Sequence, residues 1–460
     1  MADLLLHGGR LWGGGLADVV IRDGRIAALV DAGAVDVRAA GTRVDDAHAG
    51  GRPIDARADL IDARGCLVLP GLVDAHAHLD KTLWGTPWQA HCAGPSLLDR
   101  IENERRVLRE LHLSPELQSA RLVRRLLACG TTHVRSHVDV GPELGLDHLH
   151  GVQAMRERHR DAITIELVAF PQGGVAGSPG TLELLELAVR EGAEAIGGLD
   201  PIGVDGDPKA QLDGIFAIAG RHGCGIDIHL HDHGEAGART LEMIADRSAA
   251  LGLAGRVTIS HAFCLGMLEP ARLDAVVRRL VDHDIAVMTH APAGATPFPP
   301  VRLLAERGVR LCTGSDGVRD AWSPLNTGDM LERAYLIAYR SGFRDDPGLE
   351  LALHMATYGG AQVMGCAGYG LAVGAPADLV LVEAENGAEA VALHPMRRCV
   401  LKAGRVVARD GHALIGAAEV AVGAARASAG ALVSSGCAVA ANVGGVAAGG
   451  SGAAATDAAR

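Results

Sequence analysis

Aromatic side chains are scarce in this 460-residue chain, where Phe, Trp and Tyr together make up 3%. So thin a supply argues against the stacking platforms that grip single-stranded nucleic acid. Positive charge is short as well. Lys and Arg total 43 against 55 Asp and Glu, a formal net charge of −12, and no basic run tracks a phosphate backbone, so neither nucleic acid nor an anionic membrane is an expected partner. The nine Cys form no C-x-x-C pair, and an odd number in a chain of this length makes a poor disulfide framework, which points to a reducing cytoplasm. Nowhere do ~18 apolar residues run uninterrupted, and Met1 to His7 lack the basic stretch of a signal peptide, so neither export nor membrane insertion is expected.

Several catalytic motifs are missing too. There is no Gly-Lys dipeptide and hence no P-loop, no H-E-x-x-H and no G-x-S-x-G elbow. The chain has instead 48% hydrophobic and 21% charged residues, enough apolar material for a large core and too little charge for a disordered chain.

Residues 1–66 contain short alternating runs, Asp18 to Arg22 and Arg25 to Val30, joined at Asp23-Gly24, a two-residue hairpin signal. Similar runs recur in 372–411, at Ala377 to Val382 and Cys399 to Ala408. The expected result is a small β-sandwich module built from both chain ends, with residues 67–371 inserted between them. That insert reads as repeated βα units. Its candidate strands are Leu67 to Ala75, Thr132 to His137, Ile163 to Phe170, Ala195 to Leu199, Gly225 to His229, Arg256 to His261, Ile285 to Thr289 and Val309 to Thr313. Eight strands with helices between them favour an α/β fold of the (β/α)₈ TIM-barrel type. Residues 412–460, rich in Ala and Gly, lack the large side chains that offset ordering entropy and are expected to be disordered.

Polar residues sit where the strands end. His76 and His78 follow the first, His137 the second, Gln172 the third, His229 the fifth, His261 the sixth, His290 the seventh and Asp316 the eighth. In a barrel these ends converge on one face, so residues 240 positions apart can share one pocket. His76 and His78 face the same side because strand side chains alternate. With His229 and Asp316 they make an N₃O set suited to one divalent ion per subunit, zinc or ferrous iron, with a position left for water. His231 and His233 compete with His229, which directly ends its strand.

The run Pro70-Gly71-Leu72-Val73-Asp74-Ala75-His76-Ala77-His78-Leu79-Asp80-Lys81 resembles the first-strand signature of the amidohydrolase superfamily. His133 to Val140, Val168 to Gly174, Ile226 to His229, Ser260-His261 and Gly314-Ser315-Asp316 with Trp322 resemble its bacterial cytosine deaminase branch. The resemblance implies metal ligation by His76, His78, His229 and Asp316, assistance to water by His261 and Asp316, and reading of a pyrimidine amide edge by Gln172. His137, Phe170 and Trp322 join the expected substrate-binding residues. No lysine ends the fourth strand, so one metal is implied rather than two.

Two positions depart from that branch. Asp232 stands where the deaminases carry a glutamate, leaving Asp232 or Glu235 as the acid–base residue, and Gly317 stands where they carry a second aspartate. The expected activity is hydrolysis of a C–N bond of a cytosine-like nitrogen heterocycle, releasing ammonia. The alternatives are removal of an N-substituted amine from a triazine-like ring and a non-catalytic scaffold. The expected partner is a small heterocycle, and a homo-oligomer is compatible with the sequence.

Overall fold

Two burial patterns separate the strands. Arg25–Asp31 alternates between buried and more exposed positions, as in a sheet with one solvated face. Thr131–Asp139 is buried at every position, as in a parallel strand covered on both sides. A computed structural model describes residues 3–32, 59–94 and 96–415 and assigns these patterns to two sheets. Most of the Ala/Gly-rich tail, residues 416–460, lies outside the described residues.

The first sheet takes β1 (Leu4–Leu11), β2 (Leu16–Arg22), β3 (Arg25–Asp31), β4 (Asp59–Asp62) and β5 (Leu67–Pro70) from one end of the chain. The barrel follows, with β6 (Leu72–Ala77), β7 (Thr131–Asp139), β8 (Thr164–Phe170), β9 (Ala195–Leu199), β10 (Gly225–His229), β11 (Val257–Ser260), β12 (Ala286–Met288) and β13 (Leu311–Cys312). The other end then returns to the first sheet as β14 (Leu379–Val382), β15 (Arg397–Lys402), β16 (Arg405–Arg409) and β17 (His412–Ala413). Nine strands thus form one sheet from both chain ends, in the order β17-β16-β15-β14-β5-β1-β2-β3 with β4 beside β1. The Asp23-Gly24 turn has positive φ at both residues, as a tight hairpin requires. Ile26 N–H donates to Ala375 O and Ala377 N–H to Gly24 O. These bonds fold the sheet over a small core that includes Leu6, Val19, Ile21, Val68, Leu379 and Leu401.

The stretch expected as one strand, Leu67 to Ala75, is two strands in different sheets. Leu67–Pro70 pairs antiparallel with β14, whereas Leu72–Ala77 pairs parallel with β7. Pro70 has no N–H to continue a ladder, and beyond it Gly71 N–H goes to Asp378 O while Leu72 N–H goes to Gly130 O. The chain changes sheet between these two bonds.

In the barrel, β6 to β13 lie in sequence order and all pairings are parallel. Closure is nearly complete: Ala75 N–H donates to Thr313 O at 3.2 Å and Asp316 N–H to His76 O at 2.8 Å. Helices such as Pro115–Ala128 and Pro270–Asp282 turn apolar faces (Leu122 and Leu126; Val276 and Leu280) onto the strands. No helix among the described residues is long and apolar enough to cross a membrane.

Candidate active site

The strand ends bring His76, His78, His229 and Asp316 together, with one ligand atom from each lying within 4.8 Å of the others. Local structure explains the convergence. Gly314 lets the chain after β13 press against β6, since a Cβ there would lie 2.4 Å from His76 O. Asp316 then takes a left-handed turn, φ 60°, that brings its carboxylate to the ring of imidazoles. Its Oδ1 is 3.3 Å from His78 Nε2 and 3.6 Å from His76 Nε2. His229 Nε2 is 3.4 Å from His78 Nε2.

The supporting hydrogen bonds fix which nitrogen is free. Ser260 Oγ donates to the buried Asp227 carboxylate at 2.6 Å, so toward His76 it can only accept, and His76 Nδ1 at 2.9 Å is the donor. The proton on Nδ1 leaves His76 Nε2 as a lone pair, buried and without a hydrogen-bond partner. A buried lone pair with no partner is costly unless something binds it. Three imidazole nitrogens and one carboxylate oxygen around one point fit a single zinc or iron ion. Burial alone would push the Asp316 carboxyl up, but the imidazoles of His76, His78, His290 and His261 around it hold it well below the usual range.

His261 leaves β11 at φ 72° and presents Nε2 buried and unpaired. Its Nδ1 is 3.1 Å from Nδ1 of His290, whose Nε2 is 3.8 Å from Asp316 Oδ2. Phe170 is 4.2 Å from the His229 ring, centroid to centroid, in a stacked arrangement that braces it. His137 is wholly buried, 4.1 Å from the His76 ring and 4.5 Å from that of His229, with Nε2 3.6 Å from Asp227. Burial and the neighbouring His76 push it down to about 3, so it is a neutral ring packed against the cluster.

Gln172 stands at the other side of Phe170 in a network that sequence reasoning missed. Lys81 Nζ donates to Asp139 Oδ1 at 3.0 Å, to Gln172 Oε1 at 3.1 Å and to Glu104 Oε1 at 3.4 Å, and Gln172 Nε2 donates to Glu104 Oε1 at 2.9 Å. Both ends of the Gln172 amide are therefore oriented by protein. A signal for Glu104 was present: it shares a helix face with the buried Ile101 and Val107. Trp322 packs near Phe170 and Leu199 with its indole N–H buried and unpaired.

The two expected proton carriers are not brought to the cluster. Glu235 is exposed and forms a bidentate pair with Arg272 at 2.9 and 3.1 Å, which holds its carboxyl below the usual range. Asp232 accepts from Ile202 N–H at 3.2 Å and lies against Gly203, on the loop after β9. Burial and the neighbouring Asp200 raise its pKa. The residue that reaches the cluster from the segment after β10 is His231, whose ring stacks on His261 at 4.4 Å while Nδ1 is held 2.8 Å from Asp200 Oδ2. Burial opposes its charge, yet Asp200 raises the His231 pKa.

Comparison with known proteins agrees with this geometry. The model of the amidohydrolase family matches residues 116–408, more than half of the chain. N-isopropylammelide isopropyl amidohydrolase of Pseudomonas sp. (strain ADP) is 31% identical over 369 residues, 76% of this chain and 88% of that protein. The crystal structure of N-isopropylammelide isopropylaminohydrolase from Burkholderia multivorans matches with a TM-score of 0.82 at 43% identity, covering 90% of this chain and 100% of that one. 5-Methylcytosine deaminase from Klebsiella pneumoniae, liganded with 5-fluorocytosine, matches with a TM-score of 0.75 at 25% identity, over 88% of this chain and 97% of that one.

Proposed function

Since the chain belongs to the amidohydrolase family, we propose that it hydrolyses the bond between a ring carbon and an exocyclic amine on a cytosine-like or triazine-like heterocycle. The observation that carries this reading is the cluster of His76, His78, His229 and Asp316 with its unpaired Nε2 lone pair, flanked by His261 and His231. A divalent ion held by those four residues would supply the Lewis acidity that brings the pKa of water from ~15.7 toward ~7.

The chain's own residues supply the rest. His261, through its unpaired Nε2, takes a proton from the attacking water. Gln172, its amide held by Lys81 and Glu104, reads the oxo and N–H groups on the far edge of the ring. His231, tied to Asp200, delivers a proton to the departing nitrogen as the C–N bond breaks. Such transfers contribute typically ~10² to 10⁴-fold each. The products are an oxo-heterocycle and a free amine.

An N-substituted amine is the favoured leaving group, on the strength of 43% identity to the Burkholderia aminohydrolase. Release of ammonia is the second reading, supported by the likeness to the Klebsiella deaminase. Incubating metal-quantified protein with amino- and alkylamino-substituted pyrimidinones and triazinones, and identifying the amine released, separates the two. Absence of amine release from every compound would overturn the proposal.

A further inference from the structure

Gly317 follows the candidate carboxylate ligand Asp316, at the edge of the cluster. The room beside it is already filled. A Cβ built on Gly317 would lie 1.7 Å from Asp320 Oδ2 and 2.5 Å from its Cγ, so the Asp320 carboxylate occupies the volume that a residue at 317 would claim. Asp320 is 4% exposed. Its Oδ1 accepts the backbone N–H groups of Trp322 and Ser323, both at 2.9 Å, which fix the carboxylate on its turn. Oδ2 receives no hydrogen bond among the described residues, and the carboxylate lies close enough to Asp316 and Lys81 to feel the charge of each. Beside Gly317, the neighbour of Asp316, the carboxylate thus has one oxygen anchored and one unengaged.

We infer that Asp320, filling the space beside Gly317, is a specificity-determining residue whose Oδ2 accepts the N–H of the exocyclic amine on the substrate. The inference rests on the functional reading above and narrows its substrate class. A carboxylate oxygen accepts and does not donate, so the site favours an amine that keeps one N–H over an ether oxygen at the same place. Gly317 is glycine to make room for this carboxylate, not to open space for a bulky substituent.

Asp320→Asn is the informative change. The amide oxygen of Asn preserves the two backbone bonds at Oδ1, while its NH₂ replaces an acceptor by a donor at Oδ2. Matched pairs of heterocycles, alkylamino against alkoxy, test the difference through kcat/KM, with the inhibition constant used for any alkoxy compound not turned over. The expected result is a loss of ~10- to 100-fold in kcat/KM for the alkylamino compound, the worth of a hydrogen bond to a charged group. The alkoxy compound should lose little or gain, with metal content and Tm near wild type. Gly317→Ala, which forces the carboxylate aside, should lower the same amino-over-alkoxy preference.

An Asp320→Asn enzyme that keeps wild-type kcat/KM on alkylamino substrates, or loses both members of each pair equally, overturns the inference and leaves the functional reading intact. If Asp320→Asn fails to fold, an unchanged preference in Gly317→Ala overturns it. A wild-type enzyme that releases amine from no compound overturns the functional reading, and this inference falls with it.

Discussion

The imidazoles around His76 and the charges around Lys81 are both buried, yet they are finished differently. In the first group, among the described residues, His76 Nε2 and His261 Nε2 have no hydrogen-bond partner, nor do the Nδ1 atoms of His78 and His229, whose Nε2 atoms face each other at 3.4 Å. In the second, Lys81 is satisfied three ways, and only Glu104 Oε2 among the Glu104, Asp139 and Gln172 acceptors is buried and unmatched. Folding normally removes unpaired polar atoms. Where several persist within a few ångströms, their partner is something other than protein; where charges are paired, they serve to hold a side chain in one orientation.

The strongest way to break this comparison is to remove one of the open ligands. His229→Ala and Asp316→Ala are expected to lose bound metal and amine release together, both to background, while the fold persists by circular dichroism. Retention of stoichiometric metal in either variant would show that the unpaired nitrogens have another purpose.

In the paired network the expected damage is to stability first. Lys81→Met strands Asp139 in a buried place without its cation, and breaking a buried ion pair from one side costs about 3–5 kcal/mol. Urea denaturation reads that loss directly. Because Gln172 also loses a partner, KM should rise, whereas metal content should not fall. A variant that unfolds at wild-type urea would mean that the network is solvated.

The support beneath the candidate metal ligands offers a smaller and sharper test. Ser260→Ala removes the acceptor that fixes His76 with its proton on Nδ1. Such a supporting bond typically accounts for 10- to 100-fold in metal affinity. The measurement is a competition titration with a chelator, and an affinity within a factor of about two of wild type would detach Ser260 and Asp227 from the site.

How much of this was legible in the sequence follows from the same contrast. The clustering of His76, His78, His229 and Asp316 was readable because barrel topology sends every strand end to one face, and alternation puts His76 and His78 on one side. Alternation could have been carried one step further. His231 shares the parity of His229 and turns into the mouth, while Asp232, of opposite parity, turns to the loop after β9. The Lys81 network depends on Glu104 arriving from a helix 23 residues on, and the Asp320 carboxylate depends on a turn folding back over Gly317. Side chains placed by loops and helices follow no strand periodicity, so spacing did not assign them. The strand boundary at Pro70 was likewise hidden inside one continuous apolar run.

The effect that tells most about the paired network is a change in how stability depends on pH. Burial raises the Glu104 carboxyl, Lys81 opposes the rise and Asp139 adds to it, leaving it at about 8 against an ordinary 4.5. Between those values the folded protein holds a proton on Glu104 that the unfolded chain has released. Stability from this group is thus fully present below about 4.5 and is lost as pH rises through about 8. Glu104→Gln keeps the shape and an amide acceptor for Gln172 Nε2 while abolishing the titration. Subtracting the variant's Tm from that of wild type at pH 5, 6.5 and 8, with equal metal loading, isolates the contribution. The difference is expected to fall steadily as pH rises. A difference that stays flat instead would mean that Glu104 is ionised in the folded state as it is in the unfolded chain, and that Lys81 carries two carboxylate partners.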